Sequence, residues 1–529
     1  MAVSFSFSNT RMLLLTSSVS LVPILRRWAS SSSTRQEDIV KSVVAGASRD
    51  RGNEFNRNES TNTTNNIITS KSKSSSLVTS TTKTTSTSTS ITTHTTTTTK
   101  TTATHHSYRR STAPSGVPLT KILSNSFPLS LKESFKDYLD RKNLEEFQKN
   151  LLSSLSFYPQ LDQYRYSKIL KIKIDNNGNY LNEFCIYPRG KSEKDFKNIK
   201  HLILIHGYGA GLGFFINNLT EISKYGSLND WCIHAIDLLG YGTSSRPKFP
   251  HHLQYSELET AESWFTKSLK AWFEKRGLDN LNSNQILVCS HSLGAYISCV
   301  TNMEYPQLFK KLILVSPAGI SKPASPPVIP QWFHYLWNKN VSPFALVRYT
   351  GALGSLFVSG WTSRRFGKLK NAKQRELLHK YSYGIFNAPG SGEYFLNYVL
   401  APGGVPRKPL IDKIHKIQCN LTWCYGEDDW MDLVGGKRAS DIVNERTNFK
   451  SEYHIIPDSG HHVYLDNIKA FNSLVIEEMK YFEKDFVPNL IKSREKEKEK
   501  EKLEAANRIA EKAKNNNDTL IREQKNAYA

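Results

Sequence analysis

Apolar residues along this chain fall into short continuous runs, bounded by turn residues and separated by longer stretches of helical period. Ile169–Ile174 and Glu183–Tyr187 flank Asn176-Asn-Gly-Asn179, which predicts two strands joined by a tight turn. Further runs follow at Leu202–Ile205, Trp231–Ile236, Ile286–Ser290, Leu312–Val315, Leu421–Tyr425 and Tyr453–Ile456. Runs this short and this continuously apolar suit parallel strands buried on both faces. Helical patterns such as Ser256–Phe273 lie between them. Such strand–helix alternation predicts an α/β domain over 166–486, a mostly parallel sheet with helices on both faces. One interval, 318–412, is too long for a single crossover and is rich in Trp, Phe and Tyr, which predicts an inserted, mainly helical cap. Upstream, Leu131, Phe135, Leu139, Leu144, Phe147 and Leu151 recur at helical spacing. Their stripe predicts an N-terminal helical segment, within 116–165, packed on the next domain.

Composition divides the rest of the chain. Residues 1–36 contain Arg11, Arg26, Arg27 and Arg35, many serines and no acidic residue, the composition of a mitochondrial presequence. The apolar run Met12–Leu15, followed by Leu21–Leu25, is the feature a secretory signal would share. Residues 37–115 are dominated by Ser, Thr, Asn and Lys, with too few apolar groups to offset the entropy of ordering, and are expected to be disordered. In the charged tail 487–529, Glu495–Lys502 alternates Glu and Lys and predicts at most a solvated helix. No run of about 20 residues is apolar and uncharged enough to predict a membrane span.

A formal net charge of +22 favours anionic partners. Nucleic acid is disfavoured, because no basic stripe interleaves with aromatics and no zinc-finger or RNP-like spacing occurs. An anionic membrane surface, met peripherally, is the better match. The six cysteines, at 185, 232, 289, 299, 419 and 424, form no C-x-x-C pair and sit mostly in apolar runs, so neither metal nor cofactor is implied.

Ser290-His-Ser-Leu-Gly294 lies between the run Ile286–Cys289 and the apolar stretch Ala295–Val300, the order strand, sharp turn, helix. A serine held on such a turn projects its hydroxyl above the sheet, and the positive end of the next helix favours developing negative charge. Ser292 is therefore the candidate nucleophile. Gly294 meets the need for small flanking residues, and Ser290 stands where a glycine is usual. His206-Gly-Tyr-Gly-Ala-Gly211 directly follows another strand. Gly207 and Gly209 let the backbone turn so that the Tyr208 amide joins the Leu293 amide as an oxyanion hole, with Gly207, Gly209 and His291 lining the substrate. A serine needs a base and the base an orienting carboxylate. Asp429 in Gly426-Glu-Asp-Asp429 is the preferred acid, with Asp428 and Asp432 as alternatives, and His461 is preferred to His462 as base. The chain order Ser, Asp, His matches that arrangement.

From Leu202 to Phe482 the chain resembles an α/β-hydrolase subfamily that includes N-acylphosphatidylethanolamine lipases, the lipase coactivator of lipid droplets and fungal mitochondrial cardiolipin deacylases. The residues concerned are His206–Gly211, Asp237-Leu-Leu-Gly-Tyr-Gly-Thr-Ser-Ser-Arg-Pro247, Ser316-Pro-Ala-Gly319, Gly390–Glu393, Pro402-Gly-Gly-Val-Pro-Arg-Lys-Pro409, Tyr425–Asp432 and Ser459-Gly-His-His-Val-Tyr-Leu-Asp466. The resemblance implies the α/β-hydrolase fold and action on phospholipid acyl esters, with cardiolipin the favoured substrate on the matrix side of the inner mitochondrial membrane. Two other readings belong to it. His461 with Asp466 fits the H-x4-D pattern of lysophosphatidic acid acyltransferases, and the coactivator branch binds lipid surfaces without a nucleophile, carrying Asn where Ser292 stands here. Trp332, Phe333, Tyr335, Leu336, Trp337, Phe344, Phe357 and Trp361 give the cap apolar surface for acyl chains, unless they form its own core. Arg364, Arg365, Lys368 and Lys370 are positioned in sequence to meet phosphate.

Overall fold

The computed structural model describes residues 130–250, 253–279, 285–323 and 329–484, together with 499, 503, 504 and 506–508. The leader, the Ser/Thr/Asn-rich segment and most of the charged tail lie outside the described residues. Two helices come first, α1 (Leu131–Asp140) and α2 (Leu144–Leu152), then the hairpin β1 (Arg165–Lys173) and β2 (Tyr180–Pro188). Next are β3 (Lys200–Ile205), α3 (Ile216–Leu228), β4 (Trp231–Ile236), α4 (Leu258–Lys275), β5 (Ile286–His291), α5 (Leu293–Glu304) and β6 (Lys311–Val315). The interval after β6 holds α6 (Gln331–Asn338), α7 (Pro343–Tyr349), α8 (Gly354–Arg365), α9 (Ala372–Asn387) and α10 (Leu396–Val399). It closes with a two-stranded ribbon, β7 (Leu400–Ala401) and β8 (Val405–Pro406). The chain then returns through β9 (Asn420–Gly426), α11 (Leu433–Arg446), β10 (Ser451–Ile456) and α12 (Val463–Asp466) to a helix over 468–484.

The large sheet has the order β1-β2-β4-β3-β5-β6-β9-β10. Only the opening hairpin and its junction with β4 are antiparallel. Central strands β3, β4, β5 and β6 are buried along nearly their whole length, as continuous apolar runs require. Apolar clusters fill both faces of the sheet. One centres on Leu269, Trp272, Tyr296 and Leu421, the other on Phe214, Phe215, Ile313 and Tyr464.

Within the sheet core sits a charged network that periodicity did not reveal. Glu183 on β2 is fully buried, accepts from His234 Nδ1 at 2.7 Å and Trp272 Nε1 at 3.1 Å, and forms an ion pair with Arg276, whose Nε lies 3.0 Å away. Burial opposes ionisation of Glu183, yet His234 and Arg276 beside it hold its carboxyl below the usual range. Burial likewise opposes a charge on His234, but Cys185 and the Glu183 carboxylate reverse this and raise it.

Helix α1 departs from the sequence expectation. Leu131, Phe135 and Leu139 face solvent, whereas Ser134 and Asp137 are buried. The reason is polar: Ser134 Oγ donates to Ala352 O, and Asp137 accepts from Ser355 Oγ at 2.7 Å beside His379 at 3.5 Å. Helix α2 follows the expected sense, burying Leu144, Leu151 and Leu152.

Removing one partner of a buried ion pair leaves the other charge uncompensated. Glu183→Gln should therefore lower unfolding stability by about 3–5 kcal/mol in urea titration. A loss below about 1 kcal/mol would show that Arg276 and His234 find other partners.

Candidate active site

Ser292 is held in a backbone conformation that L-residues seldom adopt, φ 53° and ψ −116°. Three main-chain hydrogen bonds maintain it. Ser292 N–H donates to Val315 O at 2.9 Å, while its carbonyl accepts from Tyr296 N–H at 3.1 Å and Ala318 N–H at 3.2 Å. A non-glycine residue at positive φ persists only where its surroundings over-determine it, and such strain concentrates at functional sites. The result is a hydroxyl at the junction of β5 and the positive end of α5.

His461 stands over that hydroxyl, its Nε2 3.0 Å from Ser292 Oγ and its Nδ1 3.1 Å from Asp429 Oδ1. With Nδ1–H donating to the carboxylate, Nε2 is left to accept the serine proton. Asp429 is buried, and its Oδ1 also accepts from Met431 N–H at 3.1 Å. Burial works against its ionisation, but His461 outweighs this and keeps its carboxyl below the ordinary range. Geometry separates Asp429 from the alternatives: Asp428 is exposed, and Asp432 caps α11 through Gly435 N–H at 3.0 Å while bonded to Ser321. His462 is turned from the serine and packs among His291 and Tyr464, with ring centroids 5.0 and 5.9 Å away.

Neither Tyr208 N–H nor Leu293 N–H has an acceptor among the described residues. The glycine-rich loop bearing Tyr208 is stapled from behind by Asp237, which accepts from Leu212 N–H at 2.7 Å and Thr243 N–H at 2.9 Å. His206 steadies it further. Its Nδ1–H donates to Gly207 O at 2.8 Å and its Nε2 accepts from Leu238 N–H at 3.1 Å, while burial lowers its pKa and keeps it neutral.

Glycine is required where backbones meet. A Cβ at Gly294 would press into the His206 carbonyl, and one at Gly426 into the carbonyls of Ser459 and Gly460. A Cβ at Gly207 would come within 2.9 Å of Ser292 Cβ and 2.7 Å of His291 Nδ1, and at Gly209, φ 65°, within 2.6 Å of Phe344. Gly207 thus packs against the nucleophile turn, and Gly209 sits beneath the cap.

Two residues occupy places other than those their motifs suggest. His291 is buried, and its Nε2–H donates to His461 O at 2.9 Å, so it supports the base loop from below instead of lining substrate. Asp466 does not touch His461. Its carboxylate takes Gly460 N–H at 3.1 Å and the guanidinium of Arg365, tying the base loop to the cap. Lys368 is also engaged with protein, donating to Asp458 O at 2.6 Å, so of the four cap cations expected to meet phosphate only Arg364 and Lys370 stand exposed without such a bond. Sequence reasoning missed the Arg365–Asp466 pair and the Asp237 staple; Asp237 opens a quoted motif, but nothing local signals whom it bonds.

Residues 200–468, half of the chain, match the sequence profile described as alpha/beta hydrolase fold. The chain belongs to the α/β-hydrolase fold family. Among curated relatives, the "(Lyso)-N-acylphosphatidylethanolamine lipase" of Homo sapiens is 30% identical over 52% of this chain and 78% of its own. The "1-acylglycerol-3-phosphate O-acyltransferase" of Arabidopsis thaliana is 31% identical, over 53% of this chain and 66% of its own. A "Probable 1-acylglycerol-3-phosphate O-acyltransferase" of Oryza sativa subsp. japonica is 30% identical, over 54% and 68%. This α/β-hydrolase is therefore related to proteins named as phospholipid lipases and as lysophosphatidic acid acyltransferases.

The tightest backbone approach in this α/β-hydrolase yields a stability test. Gly294→Ala forces α5 and the His206 loop apart and should lower stability by about 1–3 kcal/mol in urea titration. Unchanged stability would mean the two backbones separate freely.

Proposed function

We propose that this protein is a serine-dependent phospholipid acyl-ester hydrolase, a mitochondrial cardiolipin deacylase that releases a fatty acid and leaves monolysocardiolipin. The observation that carries the hydrolase reading is the unbroken contact Ser292–His461–Asp429. In the first step Ser292 Oγ attacks the ester carbonyl carbon as His461 Nε2 takes the hydroxyl proton. Asp429 holds the imidazole in the needed tautomer and stabilises the imidazolium. The oxyanion is met by the Tyr208 and Leu293 amides, each such donor being worth about 3 kcal/mol in the transition state. His461 then protonates the departing lysolipid alkoxide, leaving an acyl-serine. Water, deprotonated by His461, attacks the acyl carbon, and fatty acid leaves with Ser292 regenerated.

The substrate assignment is supported by the named lipid substrates of the relatives, the acid-free Arg-containing leader and the net charge of +22, which favours a doubly anionic head group. The protein would act peripherally on the matrix face of the inner mitochondrial membrane. No helix among the described residues is long and apolar enough to cross a membrane.

A second reading is favoured by the two plant relatives: a lysophospholipid hydroxyl replaces water in the second step. The same three residues serve it. In this structure Asp466 reaches Gly460 and Arg365, so an acyltransferase would use His461 with Asp429 and not an H-x4-D pair.

Ser292→Ala should reduce ester turnover by about four orders of magnitude or more, and Asp429→Asn by about four. Product identification on a panel of phospholipids, with and without lysophosphatidic acid plus an acyl donor, tests the substrate. Monolysocardiolipin and free fatty acid are expected. Intact cardiolipin beside newly formed phosphatidic acid would replace this reading with the acyltransferase, and full turnover by Ser292→Ala would remove both.

A further inference from the structure

Helix α7 has two faces in unlike surroundings. On one, Phe344 stacks on Tyr208 of the glycine-rich loop at 5.2 Å and on Phe386 of α9 at 4.6 Å, and Val347 is buried. On the other, Leu346 and Tyr349 are exposed, followed by exposed Leu353. Helix α1 packs on the turn containing Leu353 and on α8, and it is the helix that turns Leu131, Phe135 and Leu139 outward. Before α7, Trp332, Tyr335 and Leu336 of α6 are exposed as well. Ten of the sixteen large apolar side chains exposed among the described residues fall on α1 or between 331 and 353. Such concentration exceeds the scattered apolar exposure that ordinary surfaces carry.

The cap part of this face has charge of one sign. Residues 305–375 contain no Asp or Glu, while 321–375 contain nine Lys or Arg. Arg348 and Arg365 are engaged with Glu393 and Asp466, but Lys339, Arg364 and Lys370 are exposed, as are Lys132 and Lys136 of α1. Exposed apolar groups among cations, with no acid within 305–375 and a single exposed one, Glu133, on α1, match a surface whose outer layer is anionic and whose interior is hydrocarbon.

We propose that α1, α6 and α7 form the face by which the protein docks on an anionic phospholipid bilayer. Tyr349 and Leu346 enter the lipid while the inner face of the same helix covers the loop beside Ser292. This deepens the phospholipid-hydrolase reading and rests on it for its occupant. Docking on α7 would couple contact with the bilayer to the cover of the site, because Phe344 cannot shift without uncovering Tyr208 and Gly209.

The test is co-sedimentation of the full chain with vesicles of phosphatidylcholine alone or mixed with phosphatidylglycerol, at low and high salt. Wild type should sediment with the mixed vesicles and be released by salt. Phe135→Asp with Leu139→Asp, and separately Leu346→Asp with Tyr349→Asp, should each reduce the bound fraction about tenfold or more. Tyr349→Asp alone, the mildest of these changes to the fold, should reduce it in the same direction, with all melting temperatures near that of wild type. Ser292→Ala should bind as wild type does. Wild-type binding by folded Asp variants would overturn the proposal, as would equal binding, or none, to both kinds of vesicle. Should wild type and Ser292→Ala both dock while wild type releases no fatty acid from any phospholipid, the hydrolase reading falls and the docking face stands.

Discussion

Ser292 meets His461 because four loops at the carboxyl ends of the sheet strands crowd together, with glycine where their backbones meet. β3 delivers the glycine-rich loop, β5 the nucleophile turn, and β9 and β10 the acid and base loops. At Gly294 the α5 backbone abuts the His206 carbonyl, and at Gly426 the end of β9 abuts the loop that leads to His461. Any Cβ at either point drives apart elements that a contact of 3.0 Å requires together. Misplacement of a reacting group by about 1 Å is enough to cost a hundredfold in rate, so these glycines set the chemistry as firmly as the polar residues do.

The rest of the site keeps that arrangement rigid. Asp237 and His206 fix the loop from which Tyr208 N–H projects, His291 supports the carbonyl of His461, and Asp466 restrains Gly460. Through Arg365 this last carboxylate also joins the base loop to α8, so the cap and the base share one ionic contact. Helix α7 makes a second connection by stacking Phe344 on Tyr208. Movement of the cap is thus linked mechanically to both the base loop and the oxyanion loop.

Much of this was legible in the sequence because it rests on local pattern. Continuous apolar runs located the strands, with Trp231–Ile236 read to the residue, and the small residues after each run marked where loops emerge above the sheet. Strand-end position and chain order narrow the acid to Asp428, Asp429 or Asp432 and the base to His461 or His462, and the hydrogen bonds of the site select Asp429 and His461. What stayed hidden depends on partners far away in the chain. The stripe Leu131–Phe135–Leu139 shows a helix but not which side packs; Ser134 and Asp137 win because Ala352, Ser355 and His379 offer polar contacts more than two hundred residues on. Glu183 read as one residue of a strand, and only Arg276 and His234 explain a carboxylate at its centre. The H-x4-D spacing is present in the sequence, yet spacing says nothing of direction, and Asp466 points toward Gly460 and Arg365.

Through their contact, His461 and Asp429 make Ser292 a nucleophile. The most direct measurement of this is peptide mapping by mass spectrometry after exposure to a fluorophosphonate, which reacts with an activated serine and displaces fluoride. A phosphonyl adduct is expected on Ser292 alone, formed rapidly by the wild-type chain and far more slowly after His461→Ala. An adduct absent from Ser292, or formed there equally fast without the imidazole, would contradict it.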